Sequence, residues 1–509
     1  MLQKVRKKIV QLRENNKILQ TIERFLQSRW FIVALTVFIC TTQTLGLDMV
    51  GFIGLALVFV YICIFSDNIN PIVPIVCLAI YCVSTQNGPW TQLSDKADEP
   101  VHSTSLYTST FFTVLLCIGI PILLSAAVFR VLVFGECKKV FTKNSVFIGL
   151  AVLSVSFLLS GAFSASWELE DFFWGVVQAA TYFIIYVFFA SCVDKKTFTL
   201  DYIANVMLAG LAIMIFAVAV MYITKFHLVD GLSPTWKGMM SYGWGMTNSV
   251  GTYISFVLPA CLYKMHAQKN RRWIWSVVLA IGMLTAILTL CRAGMVTAAL
   301  VVIIGLTIFA VKKETRKHAL WTIGVYLGLI ALVALIIWLS GNAEQILNYF
   351  FVKTNVDSLD ALSSGRIQIW ERYMTHFPKD PIFGGGFLVD WAAWENSKFV
   401  ARSGAFAFYG ILAHNLIVQT LASSGIVGMI ALLIHVFTLG KRVAKKHSYA
   451  RSFLSIALCA YYFLSILDTI FYMTHFTFLY IAMIVAIEAD CKRIEKEKKD
   501  DEGKTNATV

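Results

Sequence analysis

The sequence predicts an all-α, polytopic membrane protein of about fourteen transmembrane helices, and three observations carry that prediction. Mean hydropathy is +0.70 with only 14% charged residues, far from the usage of soluble globular chains. Apolar runs of 17 to 22 residues, long enough to cross a hydrocarbon core, recur along the whole chain. The basic residues are segregated: with spans near 30–47, 49–65, 71–83, 108–134, 145–164, 172–192, 203–224, 248–263, 273–290, 293–311, 319–339, 412–438, 452–467 and 470–487, 33 of the 43 Lys and Arg residues fall on one side. Lys and Arg resist translocation, so that side is expected to be the cytoplasm and to hold both termini. The net charge of +13 is then a topology signal and gives no reason to expect a nucleic-acid partner.

Residues 1–29 form a basic N-terminal segment with Ile9, Leu12, Ile18, Leu19, Ile22 and Leu26 near helical spacing, suited to an anionic membrane surface. They lack the core and cleavage site of a signal peptide, so the first span is expected to be an uncleaved anchor. Residues 30–247 are expected to be N-terminal transmembrane helices. Their outer loops 84–107, with GPW and DKADEP, and WELED at Trp167–Asp171 read as short irregular surface segments. From Lys225 to Thr247, glycines, aromatic and basic residues mix at the expected membrane surface. Trp236, Tyr242 and Trp244 there suit either sugar stacking or an interfacial aromatic belt.

Region 248–487 holds the residues with chemical potential. Arg292 sits in TLCRAG between two apolar spans, where a charge asks for a partner: Asp48 or Asp468 from the protein, or an anion from a substrate. Residues 340–411 form one extracytoplasmic loop too long for a simple turn. Within it, Ser363 or Ser364 is placed to cap a helix running to about Phe377 and stopped by Pro378, with Arg366 and Trp370 on one face. A cation in a first helical turn is unfavourable unless it pairs with Asp357 or Asp360, or a phosphate binds there. PIFGGGF allows close backbone approach or a hinge but lacks the spacing of a nucleotide-binding loop. His414 stands at the mouth of the next span with Asn415 and Gln419 behind it; an imidazole there suits proton transfer or a simple interfacial hydrogen bond. Most of the eleven cysteines sit in spans and none forms a CxxC or Cys/His cluster, so neither a disulfide framework nor a zinc site is expected. Residues 488–509 read as a charged cytoplasmic tail.

NSVGTYISFVLPACL, TLCRAG, SSGRIQIWERYMTHFPKDPIFGGGF and AHNLIVQTLASSGIVG, in this order and spacing, resemble the O-antigen ligase and polysaccharide polymerase superfamily. The likeness runs from about Asn248 to Ile487; the first 240 residues agree only in helix content. Two departures stand out: the family more often has Asn-Pro-Asn in the first motif, and Cys291 stands where Ser is common. The resemblance implies a GT-C-like helical fold and a glycosyltransferase at the outer face of the bacterial cytoplasmic membrane. Such an enzyme moves a glycan from an undecaprenyl-pyrophosphate donor to an acceptor glycan or glycolipid, with inversion and without a metal or other cofactor. A ligase would use lipid A core as acceptor, and a polymerase, as in capsule synthesis, another lipid-linked unit. Carried over by position, Arg292 and Arg366 hold the pyrophosphate and His414 orients or deprotonates the acceptor hydroxyl. Trp370, Gly384, Gly385, Gly386 and Asn415 shape the site. Two competing readings remain open on sequence: a transporter or flippase of lipid-linked oligosaccharide, and a peptidoglycan-type polymerase with an outer-loop carboxylate in the leading role.

Overall fold

In a bilayer every backbone N–H and C=O must be satisfied within the protein, and an apolar run of about 20 residues does this most simply as a helix. The chain follows that rule throughout the computed structural model, which describes residues 2–83, 114–137, 140–141, 146–164, 169–228, 234–242, 244–339, 366–377, 381–387, 413–445 and 448–506. Twenty α-helices make up almost all of the described residues. The first part contains α1 (Leu2–Asn15), α2 (Lys17–Leu26), α3 (Arg29–Leu45), α4 (Asp48–Phe65), α5 (Ile72–Leu78), α6 (Ile120–Phe134), α7 (Phe147–Phe163), α8 (Leu169–Ala179), α9 (Ile185–Cys192) and α10 (Leu200–Lys225). There follow α11 (Pro234–Met239), α12 (Thr247–Val257), α13 (Pro259–Ala267), α14 (Arg272–Leu288), α15 (Arg292–Val311), α16 (Lys313–Leu339), α17 (Arg366–His376), α18 (Leu416–Ala444), α19 (Tyr449–Asp468) and α20 (Thr474–Asn506). The one strand pair among the described residues, Ser241–Tyr242 against Gly245–Met246, is an antiparallel turn of two residues a side.

Among the described residues, nine helices are long and apolar enough to cross a membrane, and a tenth if α2 and α3, bent by 78°, form one span. The fold is therefore the expected all-helical, multi-pass one, with spans differing in detail from the fourteen expected. The stretch 71–83 is the seven-residue α5 followed by a short 3-10 turn, Ala79–Cys82. At 1.5 Å per residue that reaches only about 16 Å, half the hydrocarbon thickness. Residues 248–263 divide at Leu258 into α12 and α13, because Pro259 has no N–H to continue the ladder. The loop 84–107, Trp167, Asp357, Asp360, Ser363, Ser364 and Pro378 lie outside the described residues.

The core gathers around α20, whose residues from Phe476 to Ile487 are nearly all buried, with α5, α9, α10 and α19 packed about it. Large apolar side chains such as Leu57, Ile223 and Phe437 point outward, as lipid-facing positions do. Trp236, Tyr242 and Trp244 are instead buried among other rings, Tyr81 and Tyr222 included, so they serve neither as an exposed sugar platform nor as an interfacial belt.

Two close approaches set up the region where the sequence motifs meet. Helices α12 and α15 touch through glycines: a Cβ on Gly294 would lie 2.6 Å from the Gly251 carbonyl carbon. Helix α18 is broken at Gly425 (φ 60, ψ −159), and the segment 381–387 fills the break. Ile426 N donates to Pro381 O at 2.8 Å and Val427 N to Ile382 O at 3.2 Å, while Gly385 N and Gly386 N donate to Ala422 O and Ser423 O at 2.8 and 3.2 Å. Ser160 of α7 ties both sides together, donating to Phe383 O at 2.9 Å and also to Ser423 O. The glycine run thus achieves the close backbone approach read from the sequence, and its partner is the protein's own helix.

A side chain at Gly425 would combine positive φ with a Cβ 2.3 Å from Ile382 O. Gly425→Ala is expected to cost at least about 1–3 kcal/mol of stability, seen as a lower unfolding midpoint in detergent. An unchanged midpoint would show that the break is not needed.

Candidate functional site

Helix α19 ends at Asp468, where a left-handed Thr469 (φ 56) turns the chain back towards α20. The Asp468 carboxylate is only 5% exposed and is met by a side chain from α17 and by one from the residue that precedes the N-cap of α18. His414 Nδ1 lies 2.6 Å from Asp468 Oδ1. The Arg366 guanidinium is 3.8 Å from the same oxygen and also donates to the Leu467 carbonyl. His414 and Arg366 are themselves 33% and 23% exposed, so a buried carboxylate underlies an imidazole and a guanidinium that both reach solvent. With the carboxylate as acceptor, Nδ1–H donates and Nε2 presents its lone pair outward.

The local sequence explains why His414 is held there. Asn415 is the N-cap of α18, its side-chain oxygen accepting from Ile417 N at 2.9 Å and Val418 N at 3.1 Å, which fixes where the helix begins. Ala413 is clamped on both sides: its N–H donates to Gln419 Oε1 at 2.8 Å, and its carbonyl accepts from Trp370 Nε1 at 2.6 Å. Between these anchors His414 adopts φ 49, a left-handed conformation uncommon outside glycine. Arg366 and Trp370, one turn apart on α17, therefore bridge the end of α19 and the start of α18 from a single helix face. As expected, α17 ends next to Phe377, at His376.

Arg292 begins α15 and is exposed. Its neighbour Cys291 caps that helix, its sulfur accepting from Gly294 N at 3.3 Å, the role a serine would fill at the same place. Burial, reinforced by the Asp468 carboxylate and opposed by the Gly294 hydrogen bond, Lys237 and Arg366, pushes the Cys291 thiol up to about 11. Helix α15 packs along α19, the helix that ends at Asp468. The three non-glycine residues with positive φ among the described residues are Leu290, His414 and Thr469. They lie in the Arg292 turn, at the histidine itself and directly after Asp468. Each costs about 1–3 kcal/mol of backbone strain, and such strain concentrates where side chains must be aimed.

The structure thus brings Arg366, His414 and Trp370 together, with Arg292 at the start of a helix packed on α19. Gly384, Gly385 and Gly386 are buried against α18, with positive φ at Gly384 (73) and Gly386 (95). Asn415 acts through the helix cap. The residue the motifs do not single out as a site member is Asp468, which the sequence offers only as a partner for Arg292. Its signal is an acid closing an apolar span.

Helices long and apolar enough to cross a membrane, nine of them among the described residues, define a polytopic membrane protein. Residues 277–433 match the O-antigen ligase family (Wzy_C), which places that segment, with Arg292, Arg366, Trp370 and His414 inside it, in the O-antigen ligase and polysaccharide polymerase superfamily. No curated protein matches the chain.

Proposed function

We propose that the chain is an inverting glycosyltransferase of the outer face of the cytoplasmic membrane, moving a glycan from undecaprenyl pyrophosphate to an acceptor hydroxyl. The observation that carries this reading is Asp468 holding His414 and Arg366 at once. In the reaction the acceptor oxygen attacks the anomeric carbon, and its proton passes to His414 Nε2. The bond from that carbon to the diphosphate oxygen breaks as the new one forms. The departing diphosphate gains negative charge, which Arg366 and Arg292 would stabilise. Arg366 in the first described turn of α17 and His414 just before α18 both reach Asp468, so the positive dipole end of α18 adds to the attraction for an anion. The polyprenyl tail would lie against the lipid-facing helices and the sugars would extend into the outer loop.

The segregation of Lys and Arg supports the outer placement of this end. A flippase would need polar groups along a path through the bilayer, whereas this cluster sits at helix ends. Purified protein in vesicles, supplied with a lipid-linked repeat unit, is expected to release the carrier pyrophosphate and extend the glycan. A ladder of products identifies a polymerase, and one transfer to a separate glycolipid identifies a ligase. Transport of the intact lipid without carrier release would contradict the reading.

A further inference from the structure

Helices α14, α15 and α16 run up, down and up, so α14 and α16 both begin at the face opposite the His414 cluster, about 25 Å away along α14. Between their first turns lies a cleft of about 310 Å³. Lys269, Arg272, Lys317 and His318 line it together with Trp273 and Trp321, and no carboxylate does. Arg272 is buried, its Nε fixed by a hydrogen bond to Met265 O at 3.0 Å. Ser276 and Thr322 pair their hydroxyls at 3.1 Å within the same lining. Burial pushes the His318 imidazole below its ordinary value, and the Arg272 and Lys317 charges push it the same way, a sign of the local positive field.

Two further features say what kind of anion fits. Trp273 and Trp321 are half-exposed, as rings at headgroup depth are. Below Trp321 the same face of α16 continues as Gly324 and Gly328, where an added Cβ would meet nothing within 4 Å. On α14 the face below Trp273 continues as the exposed apolar Val277 and Ile281. A cationic cleft therefore stands at the head of open, apolar helix faces that continue into the bilayer, an arrangement that suits a phosphate joined to acyl chains better than a free phosphate.

We propose that this cleft binds the headgroup of an anionic phospholipid from the leaflet opposite the His414 cluster, with an acyl chain lying along Gly324 and Gly328 of α16. The site is independent of the glycosyl-transfer reading.

The test is native mass spectrometry of the purified full chain in detergent, titrated separately with phosphatidylglycerol, phosphatidylcholine and inorganic phosphate. Phosphatidylglycerol is expected to bind about tenfold more tightly than phosphatidylcholine, and inorganic phosphate is expected not to displace it. The double variant Lys269→Gln, Lys317→Gln should lose that preference. Lys313→Gln, Arg316→Gln, which removes the same charge just outside the cleft, should keep it. Gly324→Leu, placed in open space and so compatible with folding, should weaken phosphatidylglycerol binding by occupying the face along which the acyl chain would lie. Equal losses in the two charge variants, an unchanged preference in the cleft variant, or displacement by inorganic phosphate would each overturn the proposal.

Discussion

His414→Ala is expected to slow glycan transfer by about 10²–10⁴-fold, the contribution of a positioned general base. Nδ1 is committed to Asp468 at 2.6 Å, so Nε2 is the nitrogen available to take a proton from the acceptor hydroxyl. Alanine removes it while leaving Arg366 on Leu467 and Asp468, so affinity for the lipid diphosphate should change little. Because His414 sits at φ 49, alanine also strains the backbone; asparagine accepts that conformation more readily. His414→Asn should therefore show the same loss of rate with a smaller loss of stability. Carrier release at the wild-type rate in either variant would remove the histidine from the mechanism.

Asp468→Asn is expected to lower turnover by about 10²–10³-fold with no weakening of donor binding. The carboxylate orients His414 and offsets the positive charge that forms on the imidazole as it takes the proton. It also partly neutralises Arg366, so replacing it leaves a more positive cluster that holds a diphosphate at least as well. The expected signature is a fall in kcat with KM unchanged or lower. A merely structural Asp468 would raise KM and lower the unfolding midpoint together. Arg366→Ala gives the opposite kinetic pattern, a raised KM, because it removes a group that meets the ground-state diphosphate as well as the leaving group.

What the sequence disclosed and what it withheld follow from how far each signal reaches. The helix α17, the shared face of Arg366 and Trp370, and the position of His414 at the start of α18 all rest on spacings of a few residues, and all appear as expected. The preference of Asn for helix N-caps could have identified Asn415 as the cap of α18. Asp468 was less legible as a site residue: it lies 54 positions beyond His414, and only the packing of α18 against α19 brings the two together. The glycine run carried a true local signal, close approach, without naming the partner. That partner depends on a break at Gly425, hinted at by a Ser-Ser-Gly in an apolar run. The expected span at 71–83 failed on length: its apolar residues are buried in protein, and burial needs no full crossing.

The account depends on Asp468, His414 and Arg366 working as one unit, and double-variant kinetics measure that directly. The rate of carrier release should be compared among wild type, His414→Ala, Asp468→Asn and the double variant in the same vesicles. If Asp468 acts chiefly through the imidazole, the double variant will be no more than a few-fold slower than His414→Ala alone. If the two losses multiply, the carboxylate and the histidine act separately, and the shared site proposed for them is wrong.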